Sequence, residues 1–226
     1  MLALLFDLLL PPRCGGCTAA GDWFCARCRS QLRRPREPLC SRCGRELAFV
    51  GDGCGCRRGL RSVSSIRSGF LYEGPLENAI HRFKYEGWRS LAEPLAELMA
   101  ERLAIQLPPA GILVSVPLHR SRRASRGYNQ SELLAVELRR RFRLRRPAGR
   151  LLRNRPTTTQ VGLDRLRRAA NVGGAFTYAG ASLAGASVLL IDDVATTGAT
   201  LDACAAALRQ AGSGAVSALT LARVAI

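Results

Sequence analysis

The sequence predicts an α/β fold, a mostly parallel sheet flanked by helices, carried behind a small N-terminal module rich in cysteine. Three observations predict it. Eight of the nine cysteines lie between Cys14 and Cys56. From Ser64 onward, short apolar runs alternate with segments whose apolar residues recur at helical spacing. One of those runs, Ser187 to Ile191, leads into two aspartates, a loop of small residues and a further helix.

With 226 residues, 47% hydrophobic and 23% charged, the chain has room for one α/β domain of ordinary size and an appendage. The first apolar stretch, Met1 to Leu10, falls short of the ~20 residues of a bilayer span, and Asp7 interrupts it. No basic residue precedes it and Pro11-Pro12-Arg13-Cys14 follows, which is not the plan of a secretory signal. Leu2 to Leu10 therefore reads as a short helix packed on its own domain in a cytoplasmic protein without a membrane span.

Residues 11–60 show neither a helical nor a strand period, so something other than burial must hold them. The main domain should begin near residue 61. Ser65 to Tyr72 reads as its first strand, Glu77 to Phe83 and Leu91 to Leu103 as helices, and Gly111 to Val116, ended by Pro117, as a buried strand. Gln130 to Phe142 is an amphipathic helix, Leu201 to Leu208 an alanine-rich one, and Ala215 to Val224 a last strand. Strand–helix alternation over ~160 residues points to a parallel sheet covered on both faces. Arg150 to Asn171 is polar and too long for a tight turn, and reads as a functional loop.

Cys14-x-x-Cys17, Cys25-x-x-Cys28 and Cys40-x-x-Cys43, with the tighter Cys54-x-Cys56, provide eight thiolates, enough for two tetrahedral zinc sites of four cysteines each. A two-residue spacer lets both thiolates of a turn face one ion, and Gly15, Gly16, Gly44 and Gly55 should ease those turns. With every position filled the zinc is structural. Pairing in sequence order sets 14, 17, 25 and 28 against 40, 43, 54 and 56, and an interleaved pairing is the alternative. Cys204 stands apart as a small buried residue.

The formal net charge of +17 falls to +13 with eight thiolates on two Zn2+ (17 − 8 + 4). Lys84 is the single lysine, so the basic charge is arginine, which reflects either a GC-rich genome or selection for phosphate contacts. Arginines of the cysteine module, and those at 139, 140, 141, 143, 145 and 146, suit a polyanion, or form a solvated basic face. Trp23, Trp88, Tyr85 and Tyr128 are candidates for stacking on bases.

After Asp192 and Asp193, the residues Ala195, Thr196, Thr197, Gly198, Ala199 and Thr200 offer backbone N–H groups and hydroxyls to a phosphate at the start of the next helix. Gly198 would allow close approach. The carboxylate pair suits ribose hydroxyls and repels a bare phosphate, so the ligand must carry both.

This stretch resembles the signature of type I phosphoribosyltransferases, and together with the cysteine module it resembles the ComF family of competence and GntX-like proteins. Phe83-Lys84-Tyr85, Val116-Pro117, Arg126-Gly127-Tyr128-Asn129-Gln130, Arg155-Pro-Thr157, Gln160, Arg165, Arg168 and Asn171 continue that likeness over nearly the whole chain. It implies a type I phosphoribosyltransferase-like domain that binds phosphoribosyl pyrophosphate with Mg2+. Ser115 to Arg120, with Arg122, Arg123, Arg126 and Pro117, would receive the diphosphate, and Arg150 to Asn171 would be a flap. Arg126 and Asn129 are alternatively a helix-start network, and Lys84 a solvated lysine.

Two functions stay open. One is an accessory factor in uptake of single-stranded DNA, with DNA and uptake proteins as partners. The other is an active phosphoribosyltransferase with an unassigned acceptor, in which Asp192 and Asp193 are catalytic. Purine-salvage members of the hypoxanthine-guanine kind carry Asp where this chain has Thr196, and a hydroxyl cannot replace that general base.

Overall fold

The computed structural model describes residues 11–103, 111–155 and 174–225. The Leu2 to Leu10 helix, and the part of the polar segment from Pro156 to Asn171, lie outside them.

In chain order the elements are α1 (Ala26–Ser30), β1 (Ser65–Leu71), α2 (Gly74–Tyr85), α3 (Ala92–Leu103), β2 (Ile112–Ser115), α4 (Arg120–Arg126), α5 (Gln130–Phe142), β3 (Arg150–Arg153), β4 (Phe176–Ala179), β5 (Val188–Ala195), α6 (Ala199–Gln210) and β6 (Val216–Arg223). Four strands form one sheet in the order β1-β6-β5-β2, every neighbouring pair parallel. The polar segment is framed by an antiparallel pair, β3 and β4, in register Leu151 to Tyr178. The expectation of loop from Arg150 onward is thereby corrected: its first four residues pair with β4 as a strand.

The alternation of a strand sends neighbouring side chains to opposite faces. On β5, Leu189 and Ile191 join Leu113 and Leu219 in a core closed by α2, α3 and α5. Val188 and Leu190 join Val114, Val216 and Ala218 in a second core closed by α6 and the β3–β4 pair. A run buried on both faces explains why Val188–Ile191 is continuously apolar.

The cysteine module is built into both cores. Cys14, Phe24 and Cys28 pack with Leu76, Ala79 and Leu91 on the first. Cys40, Cys43, Cys56 and Leu60 pack with Ile66 and Leu201 on the second. It also closes the outer edge of β1, where Ile66 N–H donates to Arg42 O and Leu71 N–H to Arg33 O. Arg223, at the end of β6 and 3% exposed, donates to Cys43 O at 2.7 Å. Asp202, in the first turn of α6, accepts from the N–H groups of Ser62 and Val63 at 2.8 and 2.9 Å. Among the described residues no helix is long and apolar enough to cross a membrane.

Candidate functional site

Strand β5 runs four residues beyond Ile191 and carries both aspartates within it, Asp192 opposite Thr220 of β6. Asp192 accepts from Ser131 Oγ, in the first turn of α5, at 2.7 Å, and from the N–H of Asp193 at 2.9 Å. Asp193 is 3% exposed and its Oδ1 lies 2.8 Å from Lys84 Nζ, which α2 delivers from its last turn. Its Oδ2 is buried with no hydrogen-bond partner among the described residues.

One lysine therefore serves two neighbouring carboxylates, Asp193 buried and Asp192 half-buried. Burial and the neighbouring Asp193 charge push Asp192 up to about 7, against the pull of Ser131 and Lys84. Burial would lower Lys84, but the charge and hydrogen bond of Asp193 outweigh it and the net direction is up. Reading Lys84 as a solvated lysine is thus corrected: its side chain is 17% exposed and ion-paired.

Asp192, Asp193, Lys84 and Thr200 line a cavity of about 250 Å3 together with Pro117, Arg122 and Arg126. Of the sequence-predicted residues, Asp192, Asp193, Thr200, Pro117 and Arg126 share this cavity, whereas Ala195, Thr196, Thr197, Gly198 and Ala199 form the turn beside it without lining it. Thr197 Oγ1 accepts from Ala199 N–H at 3.4 Å, fixing that turn. Gly198 has φ +83°, and a Cβ there would meet Ile66 Cδ1 at 2.7 Å. The glycine is required by the left-handed turn and by packing against β1 and Leu60; the missing side chain faces the core.

The Arg126 guanidinium bonds Gln130 Oε1 and stacks over Tyr85 at 5.0 Å from the ring centre, and both partners line the cavity with it. Asn129 is a helix start: its Oδ1 accepts from Ser131 N–H at 3.1 Å and its Nδ2 donates to Val116 O at 3.0 Å. Of the proposed stacking aromatics, Tyr128 is 6% exposed and donates to Phe83 O, so it belongs to the core, while Tyr85 is 66% exposed.

Both metal sites form from cysteines in sequence order. Cys14, Cys17, Cys25 and Cys28 make one cluster and Cys40, Cys43, Cys54 and Cys56 the other, each with all four sulfurs within 4.8 Å of one another. Sulfur pairs stand 3.6 and 3.7 Å apart in the first and 3.7 and 3.5 Å in the second. A tetrahedron of thiolates at ~2.3 Å from zinc has edges of about 3.8 Å, so the donor sets fit that ion. The backbone N–H of Cys25 donates to Cys14 Sγ at 3.3 Å, the kind of contact that orients a thiolate ligand. These are structural zinc sites, each closed by its four thiolates.

Among the glycines expected to ease the turns, only Gly44 (φ +66°) does so by conformation. Gly15 and Gly16 are packed: a Cβ would meet Leu91 Cδ2 and Cys28 Sγ at 2.7 Å each. Gly55 faces open space.

Fold and sites define a zinc-ribbon protein built onto a parallel α/β domain, with a lysine-paired aspartate couple at the carboxyl edge of its sheet. A family profile described as "Double zinc ribbon domain" matches residues 5–59. The chain is 32% identical over 219 residues to "Competence protein F" of Haemophilus influenzae, covering 92% of this chain and 94% of that protein. It is 32% identical over 228 residues to "DNA utilization protein YhgH" of Escherichia coli K12, covering 96% and 99%. Over 207 residues it is 30% identical to "Competence protein ComFC" of Bacillus subtilis, covering 88% and 83%. A distant structural likeness is the orotate phosphoribosyltransferase of Aeropyrum pernix, with 20% identity, a TM-score of 0.40 and coverage of 62% and 63%. The chain belongs to the ComF family.

Proposed function

We propose that the Asp192–Asp193 cavity binds phosphoribosyl pyrophosphate with Mg2+, and that this cytoplasmic protein is an accessory factor in the uptake of single-stranded DNA. The observation that carries the reading is the polarity of one cavity. Two carboxylates line it, suited to ribose hydroxyls, together with Arg122 and Arg126, suited to a diphosphate. Thr200 and the turn from Ala195 to Ala199 open helix α6, whose N-terminal end favours the 5′-phosphate. Mg2+ would be held mainly by ligand oxygens and water, which asks for no dedicated protein cage.

In this reading the chain divides near residue 60 into the ribbon and the ligand-binding domain, and the names of its relatives, competence and DNA utilization, support the cellular role. Exposed ribbon arginines, Arg27, Arg34, Arg36 and Arg61, are available to a DNA backbone, whereas Arg29, Arg33 and Arg42 are engaged within the protein.

Calorimetric titration of the zinc-loaded protein with phosphoribosyl pyrophosphate and Mg2+ tests the site. Binding should vanish in Asp192→Asn/Asp193→Asn, and wild type that releases no heat would overturn the assignment. Single-strand binding that is absent even at low salt would remove the DNA role. Release of pyrophosphate on adding a base would instead favour the transferase.

A further inference from the structure

Arg223, the last residue of β6, is buried, and among the described residues no carboxylate lies within ion-pair distance of it. A guanidinium buried without counter-charge is strongly unfavourable. The second zinc site supplies that charge. Arg223 Nη1 donates at 2.7 Å to the carbonyl of Cys43, one of the four ligands, and four thiolates on one Zn2+ carry a net charge of −2 (2 − 4). The first site has no such dependant: Arg82, which bonds the carbonyls of Gly15 and Gly16, also has Glu86 at 3.8 Å.

The same arginine stands beside the turn that follows β5. In the sheet Arg223 is the register partner of Ala195, where that turn begins, and Ala195 O accepts from Val224 N–H at 3.0 Å. At its middle, Gly198 packs on Leu60 and Ile66. Both are tied to the second site: Leu60 N–H donates to the carbonyl of the ligand Cys56 at 2.9 Å, and Ile66 N–H donates at 2.6 Å to the carbonyl of Arg42, which stands between the ligands Cys40 and Cys43. Arg42 Nη1 in turn donates to Leu60 O. Beyond the turn, Asp202 accepts from the N–H groups of Ser62 and Val63 in the same segment. Residues framed by the second cluster thus hold the turn at its start, in its middle and just past its end. The first cluster packs elsewhere, against Leu76, Ala79 and Leu91.

We propose that Arg223 is a positioning residue that couples the second zinc site to the turn from Ala195 to Thr200, so that zinc on Cys40, Cys43, Cys54 and Cys56 and a phosphorylated ligand in the aspartate cavity favour each other. This rests on the reading of that turn as the 5′-phosphate site. When the ion leaves as Zn2+, the four thiolates take up four protons and the charge of the cluster goes from −2 to 0. The buried guanidinium then lacks its counter-charge, and its movement toward water draws the end of β6 away from Ala195. By linkage, a ligand that holds the turn tightens zinc at the second site by the same factor.

The test is Arg223→Met in the zinc-loaded full chain, read by zinc content, amide hydrogen exchange and calorimetric titration with phosphoribosyl pyrophosphate and Mg2+. Both zinc ions should stay. Exchange of the amides from Ala195 to Thr200 should rise at least tenfold relative to Leu189 to Ile191, and affinity should fall at least tenfold. Leu138→Ala, which opens the core under α5 and lowers stability away from the turn, should move neither reading. Cys54→Ser, expected to keep the first zinc and lose the second, should expose the same amides with Arg223 intact, and it decides the matter if Arg223→Met fails to fold. Turn amides that stay protected in these variants, or wild-type affinity in Arg223→Met, overturn the proposal. Wild type that binds no phosphoribosyl pyrophosphate refutes the phosphate reading instead, and exchange at the turn still decides whether Arg223 positions it.

Discussion

Lys84 Nζ and Asp193 Oδ1 meet at 2.8 Å, joining the last turn of α2 to the carboxyl end of β5. The partners are 17% and 5% exposed at their side chains, so the pair is shielded from solvent and the loss of either leaves an uncompensated charge. Breaking such a pair from one side costs about 3–5 kcal/mol. Lys84→Met should lower stability by roughly that amount, and the double variant with Asp193→Asn should lose less than the two singles combined. Urea denaturation of the three variants checks both statements.

The raised carboxyl of Asp192 makes a pH prediction. In the unfolded chain it ionises at about pH 4, while in the folded chain it keeps its proton until about 7. The folded state thus holds more protons between those values, and this group's contribution to stability is full below about pH 4 and is lost as pH rises through 7. Asp192→Asn should gain on wild type across that window and hold a constant difference above it. Thermal midpoints measured from about pH 4 to about pH 8.5 read the gap directly, and a gap that does not change with pH would contradict the assignment.

The zinc clusters should be inseparable from the main domain. Cys14 and Cys28 are 0% and 1% exposed and share a core with Leu76 and Leu91. Cys28→Ser should release zinc from the first site and broaden or abolish cooperative unfolding of the whole chain, not of the ribbon alone. Metal content and circular dichroism melting distinguish the two outcomes. By contrast Cys204→Ala, outside both clusters, should leave two zinc ions per chain.

Gly198→Ala should cost about 1–2 kcal/mol from the left-handed backbone alone, with a further loss from the Cβ at 2.7 Å from Ile66 Cδ1. Because Ala195 to Thr200 is the turn at the proposed phosphate site, affinity for phosphoribosyl pyrophosphate should fall with it. Paired denaturation and calorimetry measure the two effects on one protein.

Much of the architecture could be read from spacing. The α5 helix, the apolar run of β5 and the order strand, Asp-Asp, small-residue turn, helix all declare themselves within short windows, because periodicity and turn chemistry are local properties. What stayed hidden depends on distant pairs. Lys84 and Asp193 are brought together only by the fold, and so are Ser131 and Asp192. The same holds for Gly198, whose glycine requirement comes partly from Leu60 and Ile66. An isolated tyrosine carries no sign of its own burial, so Tyr128 is indistinguishable in sequence from a stacking residue. Strand β3, four residues long, is too brief to register beside an arginine-rich stretch.

The backbone of the ribbon occupies the outer edge of β1 through the bonds from Ile66 and Leu71 to Arg42 and Arg33. A sheet margin with unsatisfied amides is an invitation to recruit strands from neighbouring molecules. Stripping zinc would therefore do more than loosen a small appendage. It would uncover an adhesive border, and the apo protein should accumulate as intermolecular β-structure under conditions that keep the metallated chain dispersed.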